Sequence, residues 1–294
     1  MTSVGPVLAD NDVPGVWEGL GLPGILDVHV HFMPEQVLRK VWAYFDGAGY
    51  GVDWKISYRG DDDDRLDRLR RLGVRRFPSL IYPHKPGMAA WLNDWADDFA
   101  EHTPEVWKTF TFYPEPSAAA YVRTALERGA EIGKVHLQVG AYDPRDPLLD
   151  EVWGMCADSG VPLITHCAGS PVPGPFTGPG PISQVIARHP TLKIVVAHMG
   201  MPEHAEFLDL ALAHDEVRMD TTMAFTDFGI VSNPVDRADL PRLRDLQTKI
   251  LFGSDFPNIP YDYGHAVEAV RRLDLGDDWC RDVLWHNASR LLGV

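Results

Sequence analysis

The sequence is poor in several features that would assign it to other classes of protein. It has three cysteines, and their spacing is not that of a disulfide framework or a structural zinc site, which is typical of a reducing compartment. No run of about 18 apolar residues occurs, so we expect no membrane span. The N-terminus lacks the basic and apolar blocks of a secretory signal. We therefore expect a cytoplasmic protein.

Positive charge is also scarce. The formal net charge of −15 argues against nucleic acid as a partner and leaves a small organic molecule as the expected ligand. A chain of 294 residues with 45% hydrophobic residues is nevertheless long enough to bury a large core.

Short apolar runs alternate with amphipathic segments along the chain. The runs predict eight strands, at residues 25–31, 74–82, 106–113, 134–139, 162–167, 193–198, 217–222 and 249–255. One intervening segment, DDDDRLDRLRRLG, has acidic residues at its start and Gly73 at its end, as a capped helix does.

Eight strands that alternate with helices predict an α/β protein with a (β/α)8 TIM barrel. An open doubly wound sheet is the alternative, but no glycine-rich nucleotide loop follows the first predicted strand. We expect residues 1–22 to form an extended N-terminal arm and residues 23–294 to form a single barrel domain.

Polar residues interrupt the apolar strands at their carboxyl ends, where the chemistry of a barrel is placed. In ILDVHVHFMP, Leu26, Val28 and Val30 should share one face, opposite to Asp27, His29 and His31. The later strands end in His166, His198 and Asp255. Imidazoles and a carboxylate that converge on one mouth are ligands for a borderline divalent metal.

The segments DVHVHFMP, LITHCAG, VVAHMG, LFGSDFP and HNASRLLG resemble the amidohydrolase-related proteins of the amidohydrolase superfamily. This branch includes the enzymes that are similar to aminocarboxymuconate semialdehyde decarboxylase. The resemblance runs from about Ile25 to Val294. It implies a distorted barrel with a metal site at the carboxyl ends of its strands.

By the same resemblance, one divalent metal ion is held by His29, His31, His166 and Asp255. Zinc is the expected metal, and manganese and iron are alternatives. His198 would be a non-ligand or a weak ligand that orients the substrate or transfers protons. Asn287 matches the start of the last helix, where we interpret it as a structural cap.

A divalent ion lowers the pKa of water from about 15.7 towards roughly 7, and Asp255 could accept the proton as general base. His198 could polarise a carbonyl oxygen or protonate a leaving group. Hydrolysis of an ester, lactone or amide would follow. A non-oxidative decarboxylase could use the same residues, so the ligands alone leave both reactions open. A non-catalytic scaffold with a structural metal would have no need of His198.

The resemblance also concerns the fourth predicted strand, where many superfamily members with two metals place a carboxylated lysine or a glutamate. Lys134, His136 and Gln138 should share its inward face, with Lys134 deep in the barrel and away from the metal. We expect a single metal ion, with His136 as a substrate contact.

The loops predict a substrate of modest size. The segment 169–181, rich in glycine and proline, is placed as a lid, although a plain surface crossover is the alternative. Phe225 and Phe228 should form an apolar wall. Only Arg145 and Lys85 are cations near the mouth, which favours a hydrolase of a neutral acyl compound over a decarboxylase.

The aromatic, glycine-rich segment 41–60 is predicted to be an insertion beside the mouth or a contact between subunits. The second interpretation would fit a homodimer.

Overall fold

Among the residues that the structure describes, parallel strand segments form the wall of an α/β barrel. The computed structural model describes residues 8–47, 54–228, 234–236 and 238–294. In chain order the strands are β1 (Ile25–Leu26), β2 (Val74–Pro78), β3 (Val106–Trp107), β4 (Thr109–Thr111), β5 (Ile132–His136), β6 (Leu163–His166), β7 (Ile194–Val196), β8 (Val217–Asp220) and β9 (Ile250–Leu251). They pair in the orders β1-β2-β3 and β4-β5-β6-β7-β8-β9. Only Lys108 separates β3 from β4, so these segments are two parts of one barrel strand.

The barrel closes between its first and last strands. Val30, just after β1, forms a parallel bridge with Phe256, just after β9. The N–H of Val28 donates to the carbonyl of Phe252 at 3.0 Å, which extends this pairing. The predicted (β/α)8 barrel is therefore confirmed, and the carboxyl ends of its strands meet at one mouth.

The first strand is shorter and less regular than the sequence predicts. Of residues 25–31, only Ile25–Leu26 pair as a strand with β2, and the register shifts between these two residues. Leu26 and Val28 pack in one apolar cluster, whereas Val30 packs in another. The single apolar face expected for Leu26, Val28 and Val30 is therefore wrong.

Helices follow the strands along the chain. They are α1 (Val13–Gly19), α2 (Glu35–Gly47), α3 (Asp62–Leu72), α4 (Ala89–His102), α5 (Ala118–Glu127), α6 (Leu137–Gly140), α7 (Asp150–Ser159), α8 (Pro179–Arg188), α9 (His204–Ala213), α10 (Arg242–Asp245), α11 (Tyr263–Arg271), α12 (Asp277–Arg281) and α13 (Asn287–Leu292). α3 has the predicted cap: Asp61 accepts the N–H of Asp64 at 2.9 Å, and Gly73 ends the helix with a φ of 82°. Within the described ranges, no helix combines the length and apolarity needed to cross a bilayer.

The described part of the N-terminal segment is folded against its own barrel. The Asp10 carboxylate accepts the Tyr58 hydroxyl at 2.8 Å and the N–H of Gly264 at 3.1 Å. Residues 8–22 contain a 3-10 turn and α1, so they are not the extended arm that the sequence predicts. Residues 1–7 of that arm lie outside the described residues.

Asn287 is structural, but it is not the expected cap. The position before α13 is held by His286, and Asn287 is the first residue of the helix. Its side-chain amide donates to the carbonyl of Gln247 at 2.7 Å and to that of Ile250 at 2.6 Å. The side chain thus ties the last helix to the beginning of β9.

Candidate metal centre

Two imidazoles and a carboxylate converge at the mouth of the barrel. His29 and His31 follow β1, and Asp255 follows β9. The His31 Nε2 lies 2.8 Å from the Asp255 Oδ1, and the His29 Nε2 lies 3.6 Å from the same oxygen. One ligand atom from each residue lies within 4.8 Å of the others, and all three residues are buried.

The far side of each imidazole is anchored. The Nδ1 of His29 lies 2.9 Å from the Asp220 Oδ2, and that of His31 lies 2.7 Å from the carbonyl oxygen of Leu80. A carbonyl oxygen can only accept, so the His31 Nδ1 carries a proton and the carboxylate favours the same form of His29. Both Nε2 lone pairs are thereby turned to the cavity, as in a histidine held for a metal.

This donor set fits a divalent metal ion. The Nδ1–H of His31 donates to the Leu80 carbonyl, so the Nε2 of a neutral His31 carries a lone pair. This lone pair faces the Asp255 Oδ1 at a distance of only 2.8 Å. Two acceptors at that distance repel unless a proton or a cation lies between them. Two imidazole nitrogens and a carboxylate oxygen, with space beside them, are the ligands of a catalytic metal site.

The backbone at Asp255 is in the left-handed region, with a φ of 69°. Its N–H donates to the carbonyl of His29 at 2.8 Å, and its carbonyl accepts the N–H of Asn258 at 2.9 Å. His198, after β7, has a φ of 56°. Such conformations cost about 1 kcal/mol or more for residues other than glycine, and they are found where a side chain must be aimed at a site.

Three further histidines extend the cluster. The His166 ring stacks on the ring of His136 with centroids 4.0 Å apart, and it meets the ring of His198 at 4.8 Å. The His166 Nε2 lies 2.9 Å from the Ser170 carbonyl. His166 is outside the group of three close ligands, and its role as a ligand stays a prediction.

Lys134 is not away from this centre, as the sequence analysis expects. Its Nζ lies 3.0 Å from the Nε2 of His29. The residue does begin deep in the barrel on β5, but its four-carbon side chain reaches the mouth. The His29 lone pair cannot accept the ammonium and bind a metal ion at once, so a bound ion requires Lys134 to turn away.

Burial sets the protonation states in the cluster. It lowers the pKa values of His29, His136 and His166 well below the usual range, and burial together with the charge of His29 lowers the pKa of His198 to about 4. These imidazoles are thus neutral at pH 7, which is the form that binds metal.

The acid and the lysine respond differently. Burial favours the neutral form of Asp255, but a proton between His31 and the carboxylate, with positive charge on His31 and His29, outweighs burial and holds the pKa of Asp255 below its usual range. Burial lowers the pKa of Lys134 to about 8, against the opposing charges of Asp220 and Asp255. Asp255 is therefore ionised and Lys134 is mostly charged at pH 7.

A cavity of about 1180 Å³ opens above the cluster. This volume is slightly above the range of about 300–1,000 Å³ that is usual for sites of drug-sized ligands, and the modest size of the substrate stays a prediction. Part of the cavity lies beside α2 and the start of α4. The sequence pattern did not predict how these helices lie over the mouth. Outside the metal cluster, its lining includes Gln36, Val37, Lys40, Val41, Tyr44, Phe45, Trp54, Tyr82, His84, Lys85, Met88, Trp91, Met201, Met223, Phe228 and Asn258.

The predicted substrate contacts divide into two groups. His136 and Phe228 line the cavity, and so do Ser170 and Pro171 of the predicted lid. Phe225 is buried in the apolar core and is not part of the lining. The remaining predicted contact, Arg145, does not line the cavity either.

Arg145 does not line the cavity, because Asp143 holds its side chain with two hydrogen bonds of 2.8 Å. The expected insertion at 41–60 does border the mouth through α2 and Trp54, although residues 48–53 lie outside the described residues. Gly229, at the end of the loop that carries Phe228, lies outside them too.

Sequence reasoning missed two residues of the site. Asp220 anchors His29 and also accepts the N–H of His198 at 2.9 Å. It ends β8 as Asp255 follows β9, so its position at a strand end was a usable signal. Tyr82 packs edge-on against His31 with ring centroids 5.7 Å apart. It ends the second predicted strand, 74–82, so the same signal was present for it.

Comparison with known proteins finds the same type of barrel. The Amidohydro_2 family model, described as amidohydrolase, matches residues 26–294. An uncharacterized TIM-barrel protein from Bordetella bronchiseptica is similar in structure, with a TM-score of 0.73 and 18% identity over 92% of this chain and 98% of that chain. No match was found among curated proteins.

Two other similar structures carry names of different reactions. A 5-carboxyvanillate decarboxylase from Novosphingobium aromaticivorans, complexed with manganese, has a TM-score of 0.63 and 14% identity over 93% of this chain and 97% of that chain. A probable 2-pyrone-4,6-dicarboxylic acid hydrolase from Acinetobacter baumannii has a TM-score of 0.61 and 11% identity over 92% of this chain and 100% of that chain. At these identities the likeness shows the fold alone.

Proposed function

The chain belongs to the amidohydrolase family, as its motifs indicate, and from this premise we propose that it is a metal-dependent hydrolase of an ester, lactone or amide. One observation carries the proposal. One ligand atom each of His29, His31 and Asp255 lies within 4.8 Å of the others at the base of an open cavity. A structural metal would be enclosed by its ligands, so this arrangement favours catalysis over a scaffold role.

In this proposal His29, His31 and Asp255 hold one divalent ion, with His166 as a fourth ligand. Zinc suits the two imidazoles and the carboxylate, and manganese is the alternative because a decarboxylase of similar structure was crystallised with it. The ion would supply Lewis-acid chemistry and a water molecule of lowered pKa.

The protein's own residues then have separate tasks. The ionised Asp255 accepts the proton of the attacking water at a carboxylate oxygen. The neutral imidazole of His198 donates a hydrogen bond to the substrate carbonyl oxygen, and Asp255 passes the proton that it has accepted to the leaving group. Lys134 places a positive charge beside the developing negative charge on the substrate.

Decarboxylation is the second candidate, and the lining of the cavity favours it. The sequence analysis expects cations to be scarce at the mouth, yet Lys40, Lys85 and Lys134 all line the cavity. These ammonium groups could hold a substrate carboxylate, which a decarboxylase requires. The ammonium of Lys134 would then protonate the carbon from which the carboxylate leaves, and the neutral His198 would donate a hydrogen bond to that carboxylate.

One pair of assays separates the two reactions. The protein would be supplied with zinc or manganese and offered aryl esters and lactones, with acid release followed at constant pH. Carboxylated phenols would be offered in parallel, with release of carbon dioxide measured. We expect acid release by the wild type and its loss in Asp255→Asn, with His102→Asn as an exposed control. Carbon dioxide release without ester or lactone cleavage would reject the hydrolase in favour of the decarboxylase.

A further inference from the structure

The cavity has a second polar region, at its rim. Lys40 on α2 and the neighbouring His84 and Lys85, in the loop between β2 and α4, line this part of the cavity and are exposed to solvent. The metal ligands are instead buried at its base. The rim and the base thus offer two separate places for polar groups of one ligand.

The rim cations lack acidic partners in the part of the chain that the structure describes. Glu35, on the same helix as Lys40, pairs with Arg39 instead. Glu115, near the loop of Lys85, accepts the N–H of Gly87 at 2.7 Å. Within the described ranges, neither ammonium forms an ion pair within 4.0 Å of a carboxylate.

The two rim lysines act on His84. Burial and the charges of Lys85 and Lys40 lower the pKa of His84, so at pH 7 His84 is a neutral hydrogen-bonding group and the positive charge at the rim belongs to the two lysines. In a chain with a net charge of −15, like charges gathered without acidic partners form a local positive region. Such a region attracts anions and contributes to their selection.

Aromatic and aliphatic side chains line the cavity between these regions. The ring of Phe45 stacks on Trp54 with centroids 4.6 Å apart, and Trp54 meets the ring of Phe228 edge-on at 4.8 Å. Val41 and Met88 add aliphatic surface. This wall suits an apolar body such as an aromatic system, because flat rings pack well on aromatic side chains.

We propose that the cavity binds an amphipathic organic anion whose acidic group lies at Lys40, His84 and Lys85, remote from the reacting bond at the metal centre. The apolar body of this ligand packs against Trp54 and Phe228. The acidic group is a carboxylate, sulfonate or phosphate. As a statement about substrate, the inference rests on the proposed function, whereas the binding of the anion does not depend on turnover.

Two fluorescent probes test the inference. 8-Anilinonaphthalene-1-sulfonate has the aromatic body and an anionic group, and N-phenyl-1-naphthylamine has the same rings without the charge. We expect the double variant Lys40→Gln/Lys85→Gln to bind the sulfonate about tenfold more weakly, a change worth about 1.4 kcal/mol. Its affinity for the neutral probe should match that of the wild type.

The control variant Lys55→Gln/Lys193→Gln removes the same charge from positions outside the cavity lining and should leave both affinities unchanged. Circular dichroism and melting temperature would verify folding, and Lys85→Gln alone serves if the double variant is unstable. Equal weakening in the control and test variants, or none in either, would overturn the inference.

Metal content and hydrolysis are measured on the same samples. Loss of sulfonate binding in the rim variant of a protein without hydrolase activity would support the anion site and reject the proposed function. Ester or lactone cleavage by a protein whose rim variant binds the sulfonate as tightly as the wild type would support the proposed function and reject the anion site.

Discussion

At the residue scale, the site depends on side chains that orient other side chains. The sequence allowed the prediction of His29, His31 and Asp255 because a paired histidine motif and a late acid occur at strand ends. Asp220 also lies at a strand end, but the sequence did not indicate which histidine it supports, nor did it indicate the reach of Lys134. Such contacts depend on which strands are neighbours and on how far a side chain extends, and neither is encoded in a local pattern.

Asp220 should act as a positioning residue. Its carboxylate holds the Nδ1 of His29 at 2.9 Å and the N–H of His198 at 2.9 Å. In Asp220→Asn we expect metal affinity to fall by about 10–100-fold, which is the usual effect of losing such a support. Metal titration with a chromophoric chelator would measure this. Unchanged affinity would show that the His29 ring is held by its packing alone.

Asp27, which the sequence pattern placed on the face of His29, is fully buried and does not line the cavity. It accepts the Tyr263 hydroxyl at 2.8 Å and the N–H of Ser254 at 3.2 Å. Burial raises its pKa to about 7, although these hydrogen bonds oppose the change. Because the ordinary value is 3.8, the folded protein binds more protons than the unfolded chain between about pH 4 and pH 7. The wild-type carboxyl therefore costs stability as the pH rises through this window.

Asp27→Asn removes that cost. Relative to the wild type at the same pH, the free energy of unfolding of the variant should rise from pH 4 to pH 7, by at most about 4 kcal/mol. Urea unfolding of both proteins in the presence of a chelator would test this. Comparison at equal pH cancels the opposite contribution of the buried histidines. A difference that does not change with pH would contradict the assignment.

At the element scale, the ends of the strands rather than their lengths determine the site. The sequence predicted all eight strands in order, but it extended β1 and β9 into segments that leave regular pairing. The chain leaves the regular strand pairing at these points, and His31 and Asp255 lie at the mouth. Apolar alternation continues across these points, so periodicity cannot reveal them.

Gly253 lies where β9 approaches the histidines. A Cβ at this position would lie 2.3 Å from the Thr222 Oγ1 and 2.8 Å from the His29 Cβ. We expect Gly253→Ala to lower the free energy of unfolding by about 1–3 kcal/mol and to weaken metal binding. Gly180→Ala is the matched control, because no atom lies within 4 Å of its Cβ. Equal melting temperatures for the two variants would contradict the close packing.

At the scale of the whole molecule, the barrel was predictable and the shape of its mouth was not. Eight strands and the order of the connecting helices follow from hydrophobic patterning, which is repeated along the chain. The volume of about 1180 Å³ and the positions of Lys40 and Trp54 depend on how α2 and its neighbours lie over the mouth. A barrel of this type supports many chemistries, so the fold alone leaves the reaction undetermined.

The most direct measurement for the central claim is metal content by elemental analysis, after purification without chelators or an affinity metal. The account predicts about one divalent ion per chain in the wild type, lost in His31→Ala and retained in His102→Ala. It would be contradicted by a protein that binds no zinc, manganese or iron even when they are added, and that keeps its activity. If the metal-free activity were then lost in Lys134→Met, the buried ammonium of Lys134 would be the group that polarises the substrate in place of a metal ion.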